Sequence, residues 1–506
     1  MSFRDFPAFR DLRAFIRFLE QRKLVARISE PVNLVHEITE VHRRVLVAGG
    51  PALWFDKPVR TDAAVEMPVL ANLFGTPERV AAGFGVGLAR IPELGALLAA
   101  LREPAPVDGF KDAMGRWPML RAALATRPQN IPRPDCQADR WLGDNVDLAR
   151  LPIQTCWPGE PAPLITWPLV ITRPPDSAPD ETSRMNIGVY RMQALGKDRA
   201  IMRWLAHRGG AAHHRAWARR GEDMPVAVAI GADPATILSA VLPLPETISE
   251  LRFSGVIRGE RPRVAPALTV PILVPADAEI ILEGYVSATE TAPEGPYGDH
   301  TGYYNSVESF PVMCITAITM RRDPVYLTTF TGRPPDEPSV IGSVLNDLAL
   351  PTMRQQIPEI SDVWLPPEAC SYRMAIVSIR KSYPGQARRV MMALWGMLPQ
   401  FNYTKLIIVV DEDINVRNWQ DVAWALATRM DPSRDLANLG STPIDYLDFA
   451  SPEAGLGGKL GIDATNKIGT ETRREWGKVL QMSSDVQREV DEIWQKVAAT
   501  IQKGAA

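Results

Sequence analysis

The sequence predicts an α/β protein of α+β character. It reads as an N-terminal α/β region, a central β-rich unit built as a sheet or split barrel, and a C-terminal α/β domain ending in a helix. Three observations predict this class. Apolar residues recur at helical spacing before residue 103, and between 165 and 330 the texture changes to short β-branched runs broken by Gly, Pro and Asp. After residue 342 strand and helix patterns alternate. A chain of 506 residues is too long for one ordinary core, so two or three domains are expected. The boundaries fall at 1–120, 121–335, 336–480 and, for the terminal helix, 481–506.

Along the chain, Phe9, Leu12, Phe15, Ile16 and Leu19 predict an amphipathic helix within 7–28. The stretch 30–55 reads as a helix stopped by Gly49-Gly50 and followed by a short strand. More helix is expected near 77–102, then a polar, Pro-rich passage to about residue 135. ITWPLVIT, MNIGVYRMQAL, AIMRWLA, PVAVAIG, EIILEGYV, SFPVMCITAITMR and DPVYLTTF supply the strands of the central unit. In the third unit, strands at 373–379 and 405–413 each precede a helix, near 385–398 and from Trp419, which implies a partly parallel sheet. Residues 484–504 open on Ser-Asp and form the terminal helix.

Composition narrows the functional classes. The hydrophobic fraction is 46%, the charged fraction 23% and the net charge −3, without acidic or basic blocks, so nucleic acid is not expected as a partner. Cys136, Cys156, Cys314 and Cys370 lie far apart and form no C-x-x-C, as expected of reduced thiols in a cytoplasmic protein. The first residues, MSFRDFPAFRDLRAF, carry charges throughout, so no signal peptide is expected. No apolar run reaches the ~18 residues of a spanning helix, and a soluble or peripheral protein is expected.

Two glycine-rich runs resemble nucleotide loops. Residues 83–87, GFGVG, follow a helix pattern and read as a loop between helices. Residues 455–461, GLGGKLG, lack Walker spacing and leave a phosphate-holding lysine and a plain turn equally open. Adjacent His213 and His214 point apart on a helix and are expected to face solvent, and His36 and His42 are read as surface residues.

The segment 289-TETAPEGPYGDHTGYY-304 concentrates the ionisable groups, and its Gly and Pro residues argue against regular structure there. Glu294 and Asp299 either cap turns or share a cavity. In a shared cavity, repulsion and burial are expected to raise at least one pKa and produce a proton donor near neutrality. Asn186 and Arg191 on one strand, with Arg203 and Arg208 beyond it, suit an anionic ligand, or else they salt-bridge internally.

These segments, with 31-PVNLVHEITE-40, 72-NLFGTPERVA-81, 163-PLITWPLVITR-173, 186-NIGVYRMQ-193, 203-RWLAHRGGA-211, 331-TGRPPDEP-338 and 440-GSTPIDYLDFASP-452, resemble the UbiD family of decarboxylases over almost the whole chain. The resemblance implies decarboxylation of an aromatic acid with prenylated FMN, a divalent metal (usually manganese) and potassium. Loss of CO2 from an aromatic ring leaves a carbanion that no side chain can absorb, so a cofactor must serve as electron sink. By resemblance, Asn186 and Glu250 are metal ligands, hard oxygen donors suited to Mn2+ or Mg2+. Val189, Tyr190, Arg191, Arg203, Trp204, Leu205, Arg208 and Gly209 bind the flavin, and Lys459 reaches its phosphate. Arg191 orients the acids and the substrate carboxylate, Glu294 assists proton relay, and Asp299 protonates the ring carbon.

Asp299 replaces the Glu of styrene- and cinnamate-type members, and is the form of the polyprenylbenzoate branch. Gly209 stands where some members carry a metal-binding histidine, which leaves His207, two residues away, open as ligand or structural residue. The implied reaction converts 4-hydroxy-3-polyprenylbenzoate to 2-polyprenylphenol and CO2 in ubiquinone biosynthesis. Alternatives are a reversible (de)carboxylase of a small unprenylated aromatic or heteroaromatic acid, and a non-catalytic flavin binder. The family further implies a homo-oligomer, such as a hexamer, built through the third domain. A UbiX-type prenyltransferase would supply the cofactor, and the greasy substrate implies peripheral work at the cell membrane.

Overall fold

The computed structural model describes residues 4–61, 63–102, 124–205, 208–242, 244, 248–397 and 399–504. Helix Leu12–Glu20 buries Leu12, Phe15, Ile16 and Leu19 and is capped by the Asp11 carboxylate, which accepts from the Ala14 amide. It is shorter than expected. Lys23 takes a left-handed φ of 60°, and Val25–Ile28 then leaves the helix to pair in parallel with Ala52–Phe55. Helix Glu37–Val47 ends as read, with Gly49 at φ 64° turning the chain into Ala52–Phe55. His42 is a correction. It lies on the inward face with Ile38 and Leu46, 2% exposed, its ring 4.8 Å from Phe330, and burial lowers its pKa to about 3.

The central unit is an antiparallel sheet whose strands run in the order Asn186–Val189, Leu169–Thr172, Met224–Ile230, Ile280–Glu294, Glu308–Met320, Arg199–Met202, Met192–Ala194 and Leu164–Ile165. Asp139–Leu142 pairs with the end of Glu308–Met320. The register of the long hairpin slips between Glu283 and Gly284 and again between Val286 and Thr291. Such bulges increase local twist and curl the sheet into a half-barrel. At the first, a Cβ on Gly284 would stand 2.0 Å from the Cys314 carbonyl oxygen, so only glycine fits. Residues 289–294, expected to be irregular, form the end of the strand Ile280–Glu294.

The short strand Tyr326–Leu327 returns to pair with Val69–Ala71, and one hydrophobic core runs through the N-terminal and central regions. Helix Glu337–Gln356, started by a capping box of Asp336 and Ser339, leads out of the central unit. Beyond it lies a five-stranded sheet in the order Ile360–Trp364, Met374–Ile379, Leu406–Asp411, Leu456–Ala464 and Leu436–Pro443. Its three middle strands are parallel, and hydrophobic clusters cover both faces. The glycine-rich run 455–461 is therefore mostly strand, not a phosphate loop. Helix Ser484–Gly504 follows, with Val490, Ile493, Trp494 and Val497 exposed along one side. Among the described residues no single helix is long and apolar enough to cross a membrane.

Candidate active site

A cavity of about 800 Å³ lies between the open edge of the half-barrel and the 443–447 loop of the C-terminal unit. Strand alternation places Asn186 and Gly188 on one face of Asn186–Val189, and Tyr190 and Arg191 follow in the link to Met192–Ala194. Asn186, Tyr190, Arg203, Leu205, Arg208, Gly209, Glu250 and Asp299 line the cavity, while Val189, Arg191, Trp204, Glu294 and Lys459 do not.

Arg191 organises the acids from behind. Its Nε donates to Glu294 Oε1 at 2.7 Å and its Nη2 to Glu294 Oε2 at 3.2 Å. Nη1 donates to Asp299 Oδ2 at 3.0 Å, and Nη2 also reaches Asn305 Oδ1 at 2.9 Å. A guanidinium is the side chain whose planar fork can serve two carboxylates at once. Arg203 adds a second cation, its Nε 3.4 Å from Glu294 Oε2, and it hydrogen-bonds the Tyr446 hydroxyl. Glu294 is 0% exposed, and its charge is compensated on both sides.

The expected raised pKa is not what this arrangement produces at Asp299. Burial pushes the carboxyl upward, but the His300 hydrogen bond and the Arg191 charge outweigh it and hold Asp299 well below the ordinary aspartate range. Its Oδ1 accepts from both the backbone amide and Nδ1 of His300, each at 2.8 Å. Repulsion between the acids is cancelled because Arg191 stands between them.

The other wall is built from oxygen donors and small residues. Glu250 opens helix Glu250–Arg258, and its Oε2 accepts from the Ile187 amide at 2.9 Å. Burial pushes its carboxyl up to about 7, and no cation is paired with it among the described residues. A Cβ on Gly209 would lie 2.2 Å from Asn186 Oδ1, and one on Gly188 would lie 2.6 Å from the Tyr190 ring. Glycine thus lets Asn186 and Tyr190 approach the start of helix Gly209–Ala218. A carboxylate with no paired cation, in a cavity that the Asn186 amide also lines, fits a hard divalent cation. No three His, Cys, Asp or Glu side chains gather as a metal site among the described residues. Exposed Arg208 stands at the N-cap position of that helix without a side-chain cap bond, and the helix N-terminus suits an anion.

Lys459 does not take part in this conformation. It is 5% exposed, and its ammonium is spent on the carbonyls of Asn402, Thr404 and Pro443. The histidine pair is half-buried instead of solvent-facing. Nδ1 of His213 lies 2.9 Å from Thr172 Oγ1 and Nε2 of His214 lies 2.8 Å from the Ser287 carbonyl, so the two rings do point to different partners. His207 lies outside the described residues. Sequence reasoning missed Tyr372, Tyr403, Asp445 and Tyr446 as cavity residues. Only the family-like run 440–452 signalled the last two.

Models of the 3-octaprenyl-4-hydroxybenzoate carboxy-lyase match this chain in three parts: the N-terminal domain at 16–98, the Rift-related domain at 129–334 and the C-terminal domain at 339–464. The chain belongs to the UbiD family. As a UbiD-family protein it is a carboxy-lyase. Among solved structures it resembles the UbiD-class enzyme HmfF from Pelotomaculum thermopropionicum in complex with FMN, at 28% identity and a TM-score of 0.76, over 94% of this chain and 98% of that one. An evolved dimeric form of HmfF in complex with prFMN matches at 28% identity and a TM-score of 0.73, over 92% and 96% of the two chains. The vanillic acid decarboxylase of Sedimentibacter hydroxybenzoicus in its closed form shares the fold at 24% identity and a TM-score of 0.82, over 97% of this chain and 99% of the other. The UbiD half-barrel thus carries Asn186 on its edge strand, with Glu250 joined to that strand through the Ile187 amide, and the Arg191 clamp in the short link between Asn186–Val189 and Met192–Ala194.

Proposed function

We propose that this UbiD-family chain decarboxylates 4-hydroxy-3-polyprenylbenzoate to 2-polyprenylphenol with prenylated FMN as cofactor. The observation that carries the reading is the acid pair, Glu294 and Asp299, clamped by Arg191 at the edge of a cavity of about 800 Å³. Asn186 and Glu250 would hold the divalent metal, Mn2+ or Mg2+, and Arg208 with the start of helix Gly209–Ala218 would face the flavin phosphate. When bound, the flavin supplies the electron sink for the carbon that loses CO2.

The chain's own groups do the rest. Arg191 fixes both acids, and Glu294, buried and held between Arg191 and Arg203, keeps that clamp rigid. Asp299 reaches the cavity and delivers the proton to the ring carbon that CO2 has left. Leu205, Ala240, Leu242, Leu244, Ile444 and Leu447 form an apolar flank, and Ile248 beside them is 37% exposed. That flank gives a polyprenyl tail an apolar way out, which favours the prenylated acid. The tail also argues for work at the cytoplasmic face of the cell membrane, and the family resemblance supports a homo-oligomeric enzyme supplied with its flavin by a UbiX-type prenyltransferase.

The second reading, a small unprenylated aromatic acid, is favoured by the relative that decarboxylates vanillic acid. Cofactor-loaded protein should release CO2 from polyprenylated hydroxybenzoate. Release only from unprenylated acids would replace the first substrate with the second.

A further inference from the structure

Replacing a carboxylate by hydrogen consumes one proton per turnover, RCO2− + H+ → RH + CO2. On the reading above, Asp299 delivers that proton, yet its carboxylate is held ionised and must be reloaded each cycle. Its described hydrogen-bond donors are three: Arg191 Nη1, the His300 amide and His300 Nδ1. A guanidinium does not give up its proton in a protein, and a backbone amide does not either. Of these three donors only the imidazole can pass on a proton.

His300 is placed for more than a local contact. Its Nδ1 lies 2.8 Å from Asp299 Oδ1, and its Nε2 lies 3.7 Å from Asp445 Oδ2 in the C-terminal unit. Asp445 is itself fixed, accepting from the Tyr372 hydroxyl at 2.9 Å and the Leu447 amide at 3.0 Å, with Arg373 Nη2 at 3.2 Å. His300 Nε2 is buried without a hydrogen-bond partner, and His300 is among the residues that line the cavity. We propose that His300 is the relay residue that returns a proton to Asp299 in each turnover, and that Asp445 holds the imidazolium in place across the junction between the two units.

The step is a single proton transfer. The Nδ1–H bond breaks, an O–H bond forms at Asp299 Oδ1, and the neutral imidazole, still protonated at Nε2, regains its proton at Nδ1 from solvent once Asp299 has handed its own to the ring carbon and product has left the cavity. No oxidant or second substrate is consumed. The groups facing the ring are Asp299 on its own loop, Asp445 on the 443–447 loop, and Tyr372 and Arg373 before the strand Met374–Ile379. Asp336 at the start of helix Glu337–Gln356 also feels its charge. Burial opposes the charged ring, but the hydrogen bond to Asp299 and the two carboxylate charges prevail and raise the His300 pKa.

Two measurements test this relay, which depends on the decarboxylase reading for only one of them. The chain has six histidines, so ring NMR can follow each through a pH titration without cofactor. The signal absent from His300→Gln should titrate above the ordinary value of about 6.5 in the wild type and fall in Asp445→Asn. In loaded enzyme, His300→Ala should lower kcat by roughly 10²-fold with little change in KM, and added imidazole should restore activity, most at pH values where it is protonated. Asp299→Asn should not respond to imidazole. A His300 ring that titrates below its ordinary value, or a His300→Ala enzyme with wild-type kcat or no imidazole response, overturns the relay. If wild-type loaded protein shows no turnover, the decarboxylase reading fails and the relay with it, while the NMR result still reports the charged bridge.

Discussion

At the scale of single residues, Arg191 sets the state of both acids. Replacing it by Met leaves Glu294 and Asp299 in an enclosed site with one of their cations gone, and removing one partner of such a buried pair costs about 3–5 kcal/mol. Urea unfolding should show a loss of that order, and Arg191→Lys should recover only part of it because an ammonium cannot serve both carboxylates in a plane. Asp299 has its folded pKa depressed, so its pairing stabilises the fold above the unfolded value of about 3.9 and is lost as pH falls through the lower folded value. Asp299→Asn should therefore weaken the acid limb of a stability–pH curve, read by thermal melting. The two carboxylates were legible in the sequence as a pair, but their charge state was not. Arg191 is 103 residues from Glu294 and 108 from Asp299, and spacing does not show that a guanidinium would sit between them.

Among elements, the edge strand Asn186–Val189 and the helix Gly209–Ala218 depend on glycine for their approach. Gly209→Val would drive a side chain into Asn186 Oδ1. On the proposed role of Asn186 and Glu250 as metal ligands, it should abolish the thermal stabilisation expected when Mn2+ is added to loaded enzyme, as Glu250→Gln should, while the melting temperature without metal changes less. Helix Ser484–Gly504 makes the opposite prediction. Its side chains from Ser484 to Val497 are exposed, so removing it should leave the melting temperature of the remaining monomer nearly unchanged. A large drop would mean that the helix packs on the body. Most elements were legible from periodicity, including the alternating third unit. The run 455–461 was not, because glycines give no hydrophobic period, and its strand exists through pairing with Leu406–Asp411 and Leu436–Pro443. His42 was misread because its helix is highly charged, although Ile38 and Leu46 already placed it on the buried face.

For the whole molecule, the cavity belongs to two units at once. The barrel brings the clamp and the oxygen donors, and the 443–447 loop brings Asp445 and Tyr446 to them. The bond between Arg203 and Tyr446 joins residues 243 apart, a contact that only the assembled fold reveals. The resemblance of 440–452 to the family marked that loop without assigning it a partner. On the proposed reading, Asp299 hands a solvent-derived proton to the carbon that loses CO2. The most direct test is turnover of 4-hydroxy-3-polyprenylbenzoate in D2O by wild-type and Asp299→Asn protein loaded with prenylated FMN. The wild type should place one deuterium at the vacated ring position, and Asp299→Asn should form at least ~10²-fold less product at equal flavin content. Asp299→Asn that releases CO2 and incorporates deuterium at the wild-type rate would contradict the account.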